Sequence, residues 1–122
     1  MSPRAREFLE AAPRRLAAAE VVAGEDPSTA LSAAYYAMLY AARGALSERD
    51  TSARTHGGTW YEFHRAFVED GSIDAELTSA VQRIQPEREQ ADYEAWSAPA
   101  EEAQRAIEIA RRFLTAIEAV ID

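Results

Sequence analysis

The residues of this chain best suited to acid–base or phosphate chemistry are few. His56 stands in ARTHGG, residues 53–58, beside Arg54 and seven residues after Arg49. An imidazole titrates near neutral pH and can move a proton. A neighbouring guanidinium can hold a phosphoryl oxygen. If a helix begins just beyond, its free N–H groups favour an anion there. The plainer reading is that His56 caps that helix or fills a polar loop. His64 borders Trp60, Phe63 and Phe67 and is expected to pack against them.

Arg88 is the second candidate. Leu77, Val81 and Ile84 form an apolar line, and helical steps along it reach Arg88 and Ala91. A guanidinium in such a line needs a partner, and Asp92 follows one turn later. Three outcomes stay open. Pro86 turns the register and exposes Arg88, or the arginine is structural and buried, or it binds a ligand. A third cluster lies in LSAAYYAMLYAAR, residues 31–43. Leu31, Tyr35, Met38, Ala42 and Leu46 share one helical face. Tyr36, Tyr40 and Arg43 form another, displaced by roughly a hundred degrees at 3.6 residues per turn. The second face is expected to meet a ligand or a second protomer, unless the bundle covers both faces. Tyr35 is expected inside, with its hydroxyl on Arg88 or Asp92.

Composition narrows the chemistry. The chain has 122 residues, enough for one domain over 1–122 with its own core. There is no cysteine and no lysine, so thiolate, disulfide and Schiff-base chemistry are excluded. With two histidines and no Glu-x-x-His, no metal site is expected, and no cofactor. A net charge of −8 gives no general attraction to nucleic acid, so any such contact needs a local arginine cluster. No run approaches the ~20 apolar residues of a membrane span, and the expected location is cytoplasmic.

The elements that must position these residues are helices. Alanine, glutamate, arginine and leucine dominate, and strand patterns are nearly absent. The spacing predicts helices over about 4–23, 27–48, 59–70, 75–95 and 99–121. Ser2-Pro3 and Asp26-Pro27 are start signals, Gly24 and Gly71 are stops, and Pro13 is expected to kink or delay the first helix. The expectation is an all-α, antiparallel up-and-down bundle of four to five helices.

Three blocks then carry a resemblance: A-x-Y-Y-A-M-x-x-A-A-R at 33–43, R-T-H-x-G at 54–58, and R-x-x-A-D-Y at 88–93. In order and spacing they resemble the short prokaryotic HEPN proteins (higher eukaryotes and prokaryotes nucleotide-binding). The likeness covers about 5–120. It implies a helical bundle that pairs as a homodimer, often encoded beside a small nucleotidyltransferase in toxin–antitoxin pairs. Several HEPN branches are metal-independent ribonucleases. Their signature is an arginine, four to six residues, then a histidine, and Arg49 to His56 matches it formally. In those branches the motif sits on a later helix. The tyrosine that follows the histidine by two positions in some toxins is here Gly58.

Two expectations follow. In the first, His56 is the acid or base of RNA cleavage, Arg49 or Arg54 stabilises the phosphorane, and Arg88 adds phosphate contact. Tyr36, Tyr40, Arg43, Asp92 and Tyr93 belong to a ligand or dimer surface. In the second, the chain is a non-catalytic binding module that pairs with a nucleotidyltransferase or another protein.

Overall fold

Ser2 and Asp26 begin the first two helices by the same device. Each side chain accepts a hydrogen bond from the backbone N–H three residues on, at Ala5 and Thr29, and a proline stands at the first helical position. The computed structural model describes residues 2–93 and 97–121, without the side chains of 91–93. Helix α1 spans Pro3–Val22, α2 Pro27–Glu48, α3 His56–Phe63, α4 Ala75–Tyr93 and α5 Ala100–Val120. Helix α3 continues into a π-helical turn, His64–Val68, where Glu69 N–H donates to the His64 carbonyl. No strand occurs among the described residues. The chain is an all-α bundle of sequential helices, as its spacing predicts.

Helix α2 lies at the centre and touches α1, α3, α4 and α5. Its alanines let neighbours close in from several sides, so Ala30, Ala34, Ala37, Ala41, Ala42 and Ala45 are all buried. Gly44 carries this furthest. A methyl group there would come within 2.6 Å of Leu9 Cγ and 3.3 Å of the Ala5 carbonyl oxygen, so the missing side chain is what lets α1 seat. The Ser2 amide donates to Glu48 at 3.1 Å and ties the same ends together. Helix α1 runs through Pro13 as one element, with Pro13 exposed while Ala12 and Leu16 carry the buried stripe.

One boundary differs from expectation for a local reason, and one stop falls where expected. Helix α3 begins at His56, not 59, because Thr55 caps it: Oγ1 accepts from Gly58 N–H at 2.8 Å. A side chain at Gly58 would clash with that oxygen at the same distance, so glycine is what the cap needs. Gly71 stops the π turn at φ 80°, a left-handed conformation suited to glycine.

Candidate functional site

The site forms where α2, α3 and α4 meet, and aromatic rings shape it. Tyr35 is fully buried and Tyr36 half-buried, their rings 5.6 Å apart and edge-on. The Tyr35 hydroxyl accepts from Trp60 Nε1 at 3.1 Å and donates to Gln85 Oε1 at 3.2 Å. Burial raises the Tyr35 pKa, so the phenol keeps the proton it donates. Among the described residues its hydroxyl partners are Gln85 and Trp60, and Arg88, expected at the hydroxyl, meets the ring instead.

Arg88 belongs to the tyrosines in another way. It is 3% exposed, so Pro86 does not turn it outward. Its guanidinium carbon lies 5.2 Å from the Tyr35 ring centre and 5.3 Å from that of Tyr36. The negative faces of two rings stabilise a desolvated cation that apolar neighbours would not. Nη1 donates to the Tyr36 hydroxyl at 3.4 Å, and Glu89 stands 4.0 Å from Nη2. The expected pairing with Asp92, and any role of the Tyr93 side chain, lie outside the described residues.

His56 closes the group. Its ring sits 5.7 Å from Tyr35 and 5.8 Å from Tyr36, half-buried in the first turn of α3. Desolvation depresses its pKa below 6.5, and the charges of Arg88 and then Arg43 push the same way. The imidazole is neutral at pH 7 and can accept a proton. Arg43 is held at the edge of the site, with Nε donating to Thr59 Oγ1 at 3.2 Å. Thr59 is buried and returns its own proton to the Thr55 carbonyl at 2.8 Å. Thus the α3 cap and the Arg43 side chain share one network. Thr59 escaped the sequence reading, though a hydroxyl four residues after a threonine cap was a usable signal.

The structure brings together His56, Tyr36, Arg43 and Arg88. It does not bring Arg49 to them. The Arg49 guanidinium stacks 4.3 Å from the Phe67 ring centre and donates to the Ala66 carbonyl at 3.0 Å. Phe67 is eleven residues from His56, about 16 Å along a helix at 1.5 Å per residue, so the two engage opposite ends of one segment. Arg54 is exposed and lines a shallow groove with Arg4, Arg43, Ser52 and Ala53. Tyr40 is turned beneath α1, its ring 5.8 Å from Phe8 and under the Arg15 guanidinium at 5.4 Å. Tyr40 is thus half-buried, and its ring also lies 6.0 Å from that of Tyr36. His64 is exposed, not packed; Phe63 and Phe67 stack on each other at 5.0 Å, and His64 Nδ1 lies 3.7 Å from the Glu69 carboxylate.

Among the described residues, no group of three or more His, Cys, Asp or Glu side chains is placed to hold a metal ion. No helix among them is long and apolar enough to cross a membrane.

Comparison with known proteins agrees with this fold. The HEPN domain model matches residues 4–120. A UPF0332 protein of Thermotoga maritima is 32% identical over 120 residues, covering 98% of this chain and 86% of that protein. A UPF0332 protein of Gloeobacter violaceus is 31% identical over 63% of this chain, and "Putative toxin MJ0142" of Methanocaldococcus jannaschii 28% over 73%. The chain spans only 62% and 61% of the length of these last two. The crystal structure of TT1696 from Thermus thermophilus superposes with a TM-score of 0.82 at 25% identity, covering 98% of this chain and 100% of that one.

Proposed function

Because this chain belongs to the HEPN domain family, we propose that it serves a prokaryotic toxin–antitoxin or defence module by taking RNA at the His56–Tyr36–Arg88 site. One observation supports the reading: half-buried His56 and buried Arg88 lie against the same two tyrosine rings, so a proton acceptor at the surface has a fixed cation behind it. Unstacked bases favour aromatic platforms, and phosphate oxygens favour guanidinium. A relative named as a toxin supports the setting. In this reading the chain works in the cytoplasm as a homodimer, beside a nucleotidyltransferase partner.

The reaction proposed is metal-independent transesterification. Neutral His56 takes the proton of a ribose 2′-hydroxyl, and the 2′-oxygen attacks the adjacent phosphorus. The P–O5′ bond breaks, and the 5′-oxygen takes a proton from water. The products are a 2′,3′-cyclic phosphate and a 5′-hydroxyl. Arg43, at the edge of the site, stabilises the charge that grows on the phosphorane, and buried Arg88 adds its field from behind the tyrosine rings.

The test is cleavage of end-labelled RNA in EDTA, wild type beside His56→Ala. The expected result is loss of cleavage in a variant that keeps its melting temperature. A second reading, binding without cleavage, rests on the single histidine of the cluster. No cleavage by a verified dimer of the wild type would sink the enzyme reading. Thermal stabilisation by added RNA would then support binding alone.

A further inference from the structure

Resting on the reading that RNA is the ligand, we propose that the groove between the start of α1 and the 52–54 loop carries the phosphodiester backbone next to the His56 site. The groove measures about 460 Å³ and is lined by Arg4, Arg43, Ser52, Ala53 and Arg54. Three guanidinium groups on one concave surface repel one another, and an ordinary surface would intersperse carboxylates. This chain has 21 acidic residues to 13 arginines, so carboxylates are plentiful. Arg65, Arg105 and Arg111 each take one, while the three groove arginines, like Arg6, Arg14, Arg15, Arg49, Arg83 and Arg112, form no ion pair among the described residues. Glu48, at the near end of α2, is turned to the Ser2 amide instead.

The arrangement is built by the fold. Gly44 brings α1 against α2 and so sets Arg4 beside Arg43. Thr59 holds Arg43 by Nε, which leaves its two terminal nitrogens to other partners. Arg4 is steadied over the Phe8 ring at 5.1 Å. Several separated cations in an open groove suit a polyanion with repeating phosphates better than one small anion. Arg43 lines this groove and also acts on His56, and Arg54 lies two residues before that histidine, so a strand in the groove leads into the site. The contacts are to the backbone and carry no sequence preference.

Two probes separate this inference from the reading beneath it. One is a fluorescein-labelled 2′-deoxy-substituted oligoadenylate nonamer, which cannot be cleaved. The other is the dinucleoside monophosphate ApA with its 5′ nucleoside 2′-deoxy, which has one phosphate and cannot be cleaved either. We expect Arg4→Ala with Arg54→Ala to weaken nonamer binding about tenfold at low salt, and to lower the salt slope by roughly 1.4 at about 0.7 per contact. ApA affinity should change less than about twofold, and the Arg4→Lys, Arg54→Lys pair should restore the slope, since lysine also neutralises phosphate. A double alanine variant that binds the nonamer like wild type, while His56→Ala weakens it, overturns the groove and leaves the site standing. A wild type that binds neither probe overturns both.

Discussion

Trp60 donates its indole N–H to the hydroxyl of Tyr35 at 3.1 Å, across 25 residues of sequence and out of contact with water. That bond fixes where α3 meets α2, and so where His56 finds its rings, while the Tyr35 bond to Gln85 ties in α4, which carries Arg88. Tyr35→Phe keeps the ring and removes the acceptor. The indole N–H and Gln85 both lose a partner, at an expected cost of about 1–3 kcal/mol. Urea denaturation checks this, and an unchanged midpoint would refute it.

Arg88→Gln removes a desolvated cation from between two rings. A contact of this kind contributes up to about 2 kcal/mol when buried. The expected result is a lower melting temperature together with weaker RNA binding. His56 should also titrate closer to 6.5, since Arg88 is one of the charges that hold it down. An imidazole titration followed by NMR reports the last effect directly, and no upward movement would contradict the electrostatic account.

The pH dependence has a definite sign. His56 has a folded pKa below its ordinary 6.5, so the unfolded chain takes up its proton first as pH falls. Its contribution is intact above 6.5 and is lost as pH drops through the folded value. His56→Asn should flatten the stability curve in that window. Phosphate binding should run the other way and tighten as pH falls, because a bound anion favours the imidazolium. Titration calorimetry in two buffers of different ionisation enthalpy should show proton uptake.

Gly44→Ala places a methyl group 2.6 Å from Leu9 Cγ and 3.3 Å from a backbone oxygen. Leu9 can yield but the Ala5 carbonyl cannot, so overpacking of about 1–3 kcal/mol is expected. If α1 moves outward to make room, the Arg4–Arg43 spacing opens as well. Stability and nonamer affinity should then fall together. Loss of neither would show that α1 accommodates the methyl group.

Much of this architecture was legible in the sequence. The bounds of α2 follow from Asp26-Pro27 and the length of its apolar stripe. Arg88 was conspicuous because helical spacing carried it onto a buried line. What could not be read were partnerships over long separations. Tyr35 with Gln85, Arg88 with Tyr36 and Arg4 with Arg43 join helices whose rotation about their own axes the sequence leaves open. Local devices were missed for a different reason. The Thr55 cap moves the start of α3 by three residues, and a π turn opens at His64. Neither alters the hydrophobic period that revealed the helices.

The close seating of α1 on α2 at Gly44 also orders events in time. The two helices are joined by a short turn, so their contacts close small loops and cost little entropy. This hairpin should form early and hold its amide protons longest in hydrogen exchange. Arg88 arrives only when α4, more than forty residues after Arg43, docks on the finished pair. A chain that has made the hairpin but not this last contact carries Arg4 and Arg43 in place and lacks the buried cation. An opening of α4 alone therefore dismantles the site while most of the protein stays folded.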